Sequence, residues 1–138
     1  MKCISIIILF LLSSSIKSQI HDLKVTITNI KNIKGYIQIG LYNDPNKFPK
    51  VGREYKRYYF KVTSKTMTYT IKSIKNGSYA IATYHDGNSD KKCNRNLIGY
   101  PTEDYGFSNN VKVFISAPSF NDALIKLNKN KSIEISID

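Results

Sequence analysis

Apolar and polar residues alternate with a period of two along most of the chain beyond residue 22. Leu23, Val25 and Ile27 alternate with lysine and threonine, which is the pattern of a strand with one buried face. Helical periodicity is nearly absent. Because the same alternation recurs between short polar segments, it predicts further strands at 36–42, 58–62, 67–71, 77–84, 111–115, 124–127 and 133–137.

The segments between these strands contain residues that favour turns. Asn76-Gly77 predicts a tight turn with positive φ angles, and the residues at 128–130 predict a hairpin between the last two strands. The stretch 120–123, just after Pro118, predicts a single helical turn. Seven or eight short strands at this spacing predict an all-β fold, a single antiparallel β-sandwich with one long polar loop.

The first 18 residues have the composition of a secretory signal peptide. A short basic start is followed by an apolar run at 4–12 and a serine-rich exit at 13–18. The apolar run is too short to span a bilayer. We therefore expect a signal peptide over 1–18 and a single domain over 19–138 without a transmembrane segment, in a secreted or periplasmic protein. An uncleaved N-terminal anchor is the alternative.

Removal of the signal changes the cysteine count and the charge. Cys93 alone remains, so no intramolecular disulfide is expected. The net charge of +11 becomes +9, because Lys2 and Lys17 leave with the signal and no acidic residue does. Such a charge attracts acidic polysaccharide or lipid headgroups, although scattered lysines also keep a protein soluble. We expect envelope or extracellular polysaccharide as the partner class, and no intracellular nucleic acid, because no dense basic run is present.

The long polar loop after residue 84 carries oxygen atoms at every second position. Calcium takes six to eight oxygen ligands, and a loop that wraps the ion offers them at alternate residues. The first, third, fifth, seventh and ninth positions of this loop match that order, and a later acidic residue can complete the shell. The predicted calcium ligands are Asp86, Asn88, Asp90, the carbonyl of Lys92, Asn94 and Glu103.

Two departures from the calcium pattern predict weak affinity. Lys91 stands where a glycine makes the sharp turn, and Leu97 stands where a bidentate glutamate closes the shell. Lys91, Lys92 and Arg95 also bring positive charge to the ion. The alternative is that the Asp and Asn side chains only form Asx turns, which hold the loop together.

A hydrolytic site is a further alternative for the same loop. His85, Asp86 and Glu103 would supply its acid and base groups. However, neither a nucleophile elbow nor a metalloprotease spacing accompanies them. We therefore expect no enzyme activity, and a lone histidine at a strand end is more often a structural residue.

The aromatic residues of the loop suggest a ligand surface. Tyr100, Tyr105 and Phe107, together with His85, would form a surface on which sugars stack. The alternative is that these aromatic side chains pack the loop against the sandwich, since a loop of this length needs anchors to stay ordered.

Four motifs resemble those of an exported bacterial family, domain-of-unknown-function family 2141. They are Gly-Ser-Tyr-Ala-Ile at 77–81, His-Asp-Gly-Asn-Ser-Asp at 85–90, Gly-Tyr-Pro-Thr-Glu-Asp-Tyr-Gly-Phe-Ser-Asn at 99–109 and Pro-Ser-Phe-Asn-Asp-Ala at 118–123. The resemblance implies a signal peptide and one β-sandwich of the transthyretin-like or immunoglobulin-like kind. It implies no established activity. Members usually carry an acidic residue in place of Asn94 and a small residue in place of Lys91, which again implies weak calcium binding.

We thus expect an exported, non-enzymatic β-sandwich whose 85–104 loop binds calcium weakly and shapes a recognition surface. The first alternative is a carbohydrate- or envelope-binding module that uses the loop aromatics and surface lysines. The second is a hydrolase centred on His85.

Overall fold

The structure is a computed structural model, and it describes residues 18–138. The predicted signal peptide lies outside the described residues except for Ser18, and it stays a prediction. Eight strands and a short 3-10 segment are present in the described part of the chain. The strands are β1 Ile20–Thr28, β2 Tyr36–Tyr42, β3 Lys56–Lys61, β4 Met67–Lys75, β5 Gly77–Asp86, β6 Tyr105–Phe107, β7 Ile125–Leu127 and β8 Lys131–Ser136.

The strands form two sheets, and the predicted all-β sandwich is confirmed. One sheet has the order β4-β1-β8, and the other has the order β3-β2-β5-β6, with β7 paired to the first residues of β5. The strand pairs described are antiparallel except β1 and β8, which run parallel. Alternation could not reveal this parallel pair, because the period of two is the same in either strand direction.

Several local predictions were wrong. Residues 111–115 are irregular, and β6, which was expected to be loop, is a short strand. β7 and β8 form no hairpin, because β7 pairs with β5 and β8 pairs with β1 in the other sheet. Neither Asn76 nor Gly77 has a positive φ, since the chain there passes from one sheet to the other. In the last two cases, the pairing of neighbouring strands in different sheets overrode the local turn chemistry.

Aliphatic side chains on the facing sides of the two sheets form the main core. Every second residue of the central strands points into it, as the alternation predicted. Burial of each such side chain contributes about 1.5–3 kcal/mol. The fully buried aliphatic residues of β1, β2 and β5 are Leu23, Val25, Ile27, Ile37, Ile39, Leu41 and Ile81.

The five-stranded sheet is also covered on its outer face, where a second core lies. Tyr42 and Ala80 from the central strands and Phe107 from β6 meet Phe48 and Phe120 from the connecting segments. The Phe48 ring contacts those of Tyr42, Phe107 and Phe120 edge to face, at centroid distances of 5.2, 5.9 and 6.1 Å. This geometry is favourable for aromatic rings. Both faces of the central strands are therefore buried.

Candidate functional site

β5 carries the chain into the polar loop at one end of the five-stranded sheet. Its last residues, His85 and Asp86, lie opposite Ile37 and Tyr36 in the β2–β5 register. His85 therefore shares the inner face with Ile37, and Asp86 lies on the outer face. His85 is buried and donates a hydrogen bond from Nε2 to the Lys34 carbonyl oxygen over 2.7 Å. The structure places this imidazole beneath the loop, away from the aromatic residues predicted to share a ligand surface with it.

Gly35 allows the β1–β2 connection to pass directly beside the start of the loop. Its φ is +67°, and a Cβ at this position would lie 2.1 Å from the Asp86 carbonyl oxygen. Only glycine combines this backbone conformation with such a close approach. Any larger residue here displaces the end of β5 and with it the first residues of the loop.

The Asp86 carboxylate organises the first turn of the loop. The residue is fully buried, and its two oxygens accept hydrogen bonds from the N–H groups of Asp90 and Lys91 over 3.1 and 2.8 Å. Lys91 has a φ of +62°, the conformation that favours a glycine in a sharp turn. The loop therefore makes the predicted turn without the glycine, at a cost of about 1 kcal/mol for the lysine side chain.

Asn88 and Asp90 continue the network with further turns. The Asn88 Oδ1 atom accepts the Asp90 N–H over 3.2 Å, and the Asn88 Nδ2 atom donates to Asp90 Oδ2. Asp90 Oδ1 accepts the Lys92 N–H over 2.9 Å, and this bond lowers the pKa of Asp90. These contacts are Asx turns. The turns predicted by the alternative explanation of the loop are therefore present.

Glu103 reaches the same cluster from the far side of the loop. Its Oε2 atom accepts the Asn94 N–H over 3.1 Å. Burial raises the pKa of Glu103, and the negative charges of Asp86 and Asp90 raise it as well, against the lowering effect of the Asn94 N–H. The Oδ1 atom of Asn94 is buried and accepts no hydrogen bond within residues 18–138. The cluster therefore combines three interacting carboxylates with one unpaired amide oxygen.

The predicted calcium ligands thus gather in one region, but they do not form a closed metal site. Among residues 18–138, no three His, Cys, Asp or Glu side chains lie close enough together to hold a metal ion. Within the same range, Lys and Arg come within 4.0 Å of other carboxylates only, those of Asp44, Glu54, Asp104 and Asp138. The charge of the three loop carboxylates is therefore offset by backbone N–H and amide groups.

Tyr100 and Tyr105 form an aromatic pair beside this cluster. Their hydroxyl groups are hydrogen-bonded over 2.9 Å, and their rings meet edge to face at 6.2 Å. Burial raises the pKa of Tyr105 to about 12, with a further contribution from the Tyr100 hydroxyl. The Tyr105 ring also contacts Phe107, which is buried in the outer core. Tyr100 is half-exposed. Of the three rings in contact, Phe107 therefore packs in the core, whereas the ring of Tyr100 stays accessible to solvent.

The tyrosine pair lines two cavities, one over the outer face of the five-stranded sheet and one between β6 and the end of β8. The smaller cavity, which we call the aromatic cleft, has a volume of about 250 Å³ and extends over β2 and β5 from Gln38 and Tyr84 to Arg95. The larger cavity, of about 400 Å³, lies beside Lys112 and Asp138. The residues that line both are Tyr100, Pro101, Tyr105, Phe107 and Val113.

A polar group at the base of the outer face was not predicted. Gln38, which lines the aromatic cleft, donates from Nε2 to Glu54 Oε1 over 3.2 Å, and Arg57 donates to Glu54 Oε2 over 2.8 Å. The Glu54 side chain is 3% exposed, and a Cβ at Gly40 would lie 2.8 Å from its Cγ. The sequence did indicate that this outer face is buried, because the outward positions of the two central strands carry no lysine or arginine.

Ser108 and Asn109 of the Gly-Phe-Ser-Asn motif connect the outer layer to the sheet. Ser108 is fully buried, and its Oγ accepts the Ile81 N–H over 2.9 Å and donates to the Ala123 carbonyl oxygen. Asn109 Nδ2 donates to the Leu124 carbonyl oxygen over 3.1 Å. These bonds join the irregular segment after β6 to the backbone of β5 and to the segment before β7.

The same motif also brings β6 close to β8. A Cβ at Gly106 would lie 2.7 Å from the Ser136 carbonyl oxygen, so only glycine fits without displacement. Asn110 Oδ1 accepts the Ser136 N–H over 2.8 Å. This motif therefore has a structural explanation in the contact between the two sheets.

The predicted helical turn at 120–123 is present and is capped by its own side chains. Ser119 Oγ donates to the Asp122 carboxylate over 2.7 Å and accepts the Asp122 N–H over 3.2 Å. The Ala123 N–H donates to the Ser119 carbonyl oxygen over 3.4 Å. The turn buries its phenylalanine and alanine in the outer core.

Within residues 18–138, no helix has the length and apolar character needed to cross a bilayer. Comparison with curated proteins found no match, and comparison with solved structures found none either. The model of a family described as an uncharacterised protein conserved in bacteria, domain of unknown function 2141, matches residues 25–135. This match includes all four motifs and both sheets. The chain therefore belongs to this bacterial family, as the resemblance of its motifs predicted.

Proposed function

We propose that this protein is a non-enzymatic recognition module whose 85–104 loop binds calcium weakly and thereby shapes the aromatic cleft. The observation that carries this proposal is a group of carboxylate and amide oxygens that no Lys or Arg side chain contacts directly. Asp86, Asp90 and Glu103 have no Lys or Arg nitrogen within 4.0 Å among residues 18–138, and the Oδ1 atom of Asn94 is buried without a donor. A divalent cation supplies both the missing charge and the missing partner.

The backbone of the loop supports this proposal because it is already curled. Asp86 accepts two N–H groups, and Ser89 and Lys91 have positive φ angles of 62° each. The acidic side chains still have to draw together, since three of them do not yet lie at metal-binding spacing. This rearrangement, and the positive charge of Lys91 and Lys92, favour a dissociation constant in the weak extracellular range of about 10⁻⁴–10⁻³ M.

Calcium in this loop would act on the aromatic cleft through Asn94. The Asn94 N–H donates to Glu103, and its carbonyl oxygen accepts the Thr102 N–H over 2.8 Å. Its two neighbours, Cys93 and Arg95, both line the cleft. A cation that holds Asn94 and Glu103 together therefore positions one wall of the cleft. A non-enzymatic role is supported by the buried imidazole of His85, which is already hydrogen-bonded to a backbone carbonyl.

Calcium titration tests the proposal. With a dissociation constant of about 1 mM, roughly 10 mM calcium stabilises the folded state by about 1.4 kcal/mol and raises Tm by roughly 5 °C. Isothermal calorimetry should show saturable heat. Asp90→Asn and Glu103→Gln each remove one carboxylate but keep an acceptor for the N–H bonded there, so each should abolish most of the Tm increase.

Asp44→Asn is the matched control for these variants. Asp44 also holds a turn, since its Oδ1 accepts the Asn46 N–H over 2.9 Å, but it lies in the β2–β3 connection. This variant should keep the full response to calcium. Equal Tm increases in all four proteins, or no increase in any of them, would leave the loop with a purely structural role.

Carbohydrate binding in the cleft is the second candidate, and the half-exposed ring of Tyr100 favours it. Tyr100 and Tyr105 line both cavities, which is the arrangement in which a sugar stacks on one ring and hydrogen-bonds to polar groups nearby. A glycan array that includes acidic polysaccharides should show binding that Tyr100→Ala removes. Tyr55→Ala, a substitution at a tyrosine of similar exposure in another connection, should leave this binding intact. Equal signals for the two variants would contradict the candidate.

Export completes the proposed function. We propose that residues 1–18 direct secretion or delivery to the periplasm and are then removed, which leaves Gln19 as the first residue. The mass of the protein recovered from the periplasm or medium of a bacterial host should equal that of residues 19–138. Recovery of the full-length chain in the membrane fraction would instead indicate an N-terminal anchor.

A further inference from the structure

Four large apolar side chains project into solvent beside the aromatic cleft. Leu97 and Ile98 lie on one segment, and Phe114 and Ile115 lie on another; each side chain is at least 88% exposed. The other large apolar residues described as exposed reach 57% at most. Both segments border the same cleft, which is lined by Arg95, Gly99 and Tyr100 on one side and by Val113, Ile115, Ser116 and Ala117 on the other. Exposed apolar groups gathered in one region mark a surface that contacts another apolar phase or a partner.

The first of these segments is a closed turn rather than a loose tail. Asn96 Oδ1 accepts the N–H groups of Ile98 and Tyr100 over 3.1 and 2.9 Å, and the Asn96 carbonyl accepts the Gly99 N–H. Gly99 has a φ of +82°, and its carbonyl oxygen accepts a bond from Arg95 Nη1. This turn holds its two apolar side chains outward, and they have no packing surface of their own.

The two segments that carry these side chains are cationic, although the carboxylates of Asp90 and Glu103 lie next to the first of them. Residues 91–100 contain three cationic residues and no acidic residue, and residues 111–117 contain one cationic residue and no acidic residue. These cations are Lys91, Lys92, Arg95 and Lys112, of which Lys112 lies 3.7 Å from the exposed carboxylate of Asp138. Apolar side chains at the tip of a protrusion, with cations behind them, match the interface of an anionic bilayer, where the apolar groups enter the acyl boundary and the cations meet headgroups.

We propose that this end of the protein docks on the surface of an anionic lipid bilayer, with Leu97, Ile98, Phe114 and Ile115 inserted in the interface. A bilayer accommodates two separate protrusions, because it needs no complementary shape. A second copy of the chain would instead need a contiguous surface of about 800 Å² per partner, and the open cleft between the two segments interrupts such a surface. Docking in this orientation holds the mouth of the aromatic cleft against the membrane.

Vesicle co-sedimentation tests the docking surface. The purified protein, with its N-terminus established by mass spectrometry, should bind vesicles of phosphatidylglycerol and phosphatidylethanolamine and bind neutral phosphatidylcholine vesicles much more weakly. Leu97→Ser/Ile98→Ser and Phe114→Ser/Ile115→Ser should each reduce partitioning about tenfold or more, because each removes two apolar side chains from the interface. High salt should also weaken the binding of the wild-type protein to anionic vesicles.

Ile20→Ser is the matched control for these variants. Ile20 is exposed and lies opposite Lys75 in the β1–β4 register, near the start of β5, whereas the polar loop leaves the end of that strand. This substitution should not change partitioning. Equal binding of wild type and both double variants would overturn the proposal, as would binding that does not depend on anionic lipid. Loss of a dimer in both double variants, without vesicle binding by the wild type, would assign the surface to a second copy instead.

A single tryptophan provides an independent measurement, because the natural chain contains none. Leu97→Trp should show a blue-shifted emission on addition of anionic vesicles, and Ile20→Trp should not. An unshifted Leu97→Trp emission in the presence of bound protein would show that another surface docks. The docking proposal and the calcium proposal are tested independently. Glu103→Gln should lose the response to calcium but should still bind vesicles in calcium-free buffer.

Discussion

The two faces of the five-stranded sheet are buried in different ways. The inner face packs aliphatic side chains of β2 and β5 against the three-stranded sheet, so that strand meets strand. The outer face is covered by irregular segments, whose aromatic side chains form a smaller core around Phe48. These segments are held by side-chain bonds to backbone, such as those of Ser108 and Asn109. Regular alternation builds the first layer, and individual polar residues build the second.

This difference explains where the candidate site lies. A face covered by another sheet leaves no room for a ligand, whereas segments that cover a sheet through a few bonds leave cavities between them. The aromatic cleft lies on the outer side, and the larger cavity lies where β6 meets the end of β8; Tyr100 and Tyr105 line both. The acidic loop is positioned at the same end, because Asp86 is the last outward residue of β5. The inner layer therefore contains the main core, and the outer layer contains the candidate site.

The largest expected effect comes from the inner core. Ile39→Ala should lower the free energy of unfolding by about 2–5 kcal/mol, because Ile39 is fully buried between the sheets and the substitution leaves a cavity. Urea unfolding followed by circular dichroism measures this change. Thr70→Ala on the exposed side of β4 serves as the control and should stay within about 0.5 kcal/mol of wild type. A loss below about 1 kcal/mol for Ile39→Ala would contradict the inference that the inner core is the main source of stability.

A smaller and more local effect is expected in the outer layer. Ser108→Ala should cost about 1–3 kcal/mol, because it leaves the Ile81 N–H and the Ala123 carbonyl without their buried partner. Hydrogen exchange should accelerate around 119–124 while β1 stays protected. Ser132→Ala, at an exposed position of β8, should change neither quantity. Uniform acceleration across both sheets would mean that the two layers unfold as one unit.

The smallest effect concerns Glu103 and depends on pH. The folded state raises the pKa of Glu103 above the ordinary value of 4.5. The folded protein therefore binds this proton more tightly than the unfolded chain does, and the related stability is present below pH 4.5 and lost as the pH rises through the folded pKa. In calcium-free buffer, Glu103→Gln should match wild type near pH 4 and exceed it by about a few tenths of a kcal/mol at pH 7, because solvent screens the partly exposed carboxylate.

Thermal melts at the two pH values, with and without calcium, measure this difference. Calcium should reverse the order at pH 7, since only the wild type keeps the full set of carboxylates. Two results would contradict the assignment of Glu103 to the calcium site. In one, Glu103→Gln is more stable than wild type by the same amount at pH 4 and at pH 7. In the other, it remains more stable than wild type in calcium.

Much of the fold was predictable because alternation reports burial directly. The buried positions of β1 and the bounds of β2 followed from which residues are apolar. β6 was missed because three residues give too short a pattern, and its place depends on pairing with Ala82 to Tyr84 of β5. The turns of the acidic loop were also predictable, since the oxygens of Asp86, Asn88 and Asp90 recur in a spacing that forms turns whether or not a metal is bound.

The strands, the buried faces of the first layer and the turns of the acidic loop follow from local sequence, because they depend on side chains two to five residues apart. The parallel pairing of β8 with β1 and the covered outer face depend on contacts between segments far apart in the chain. The approach of Glu103 to Asn94 and of Tyr100 to Tyr105 depends on the fold of the loop as a whole. These long-range contacts were decided only by tertiary packing. A local pattern indicates how deeply a residue is buried, but it does not indicate which distant segment buries it.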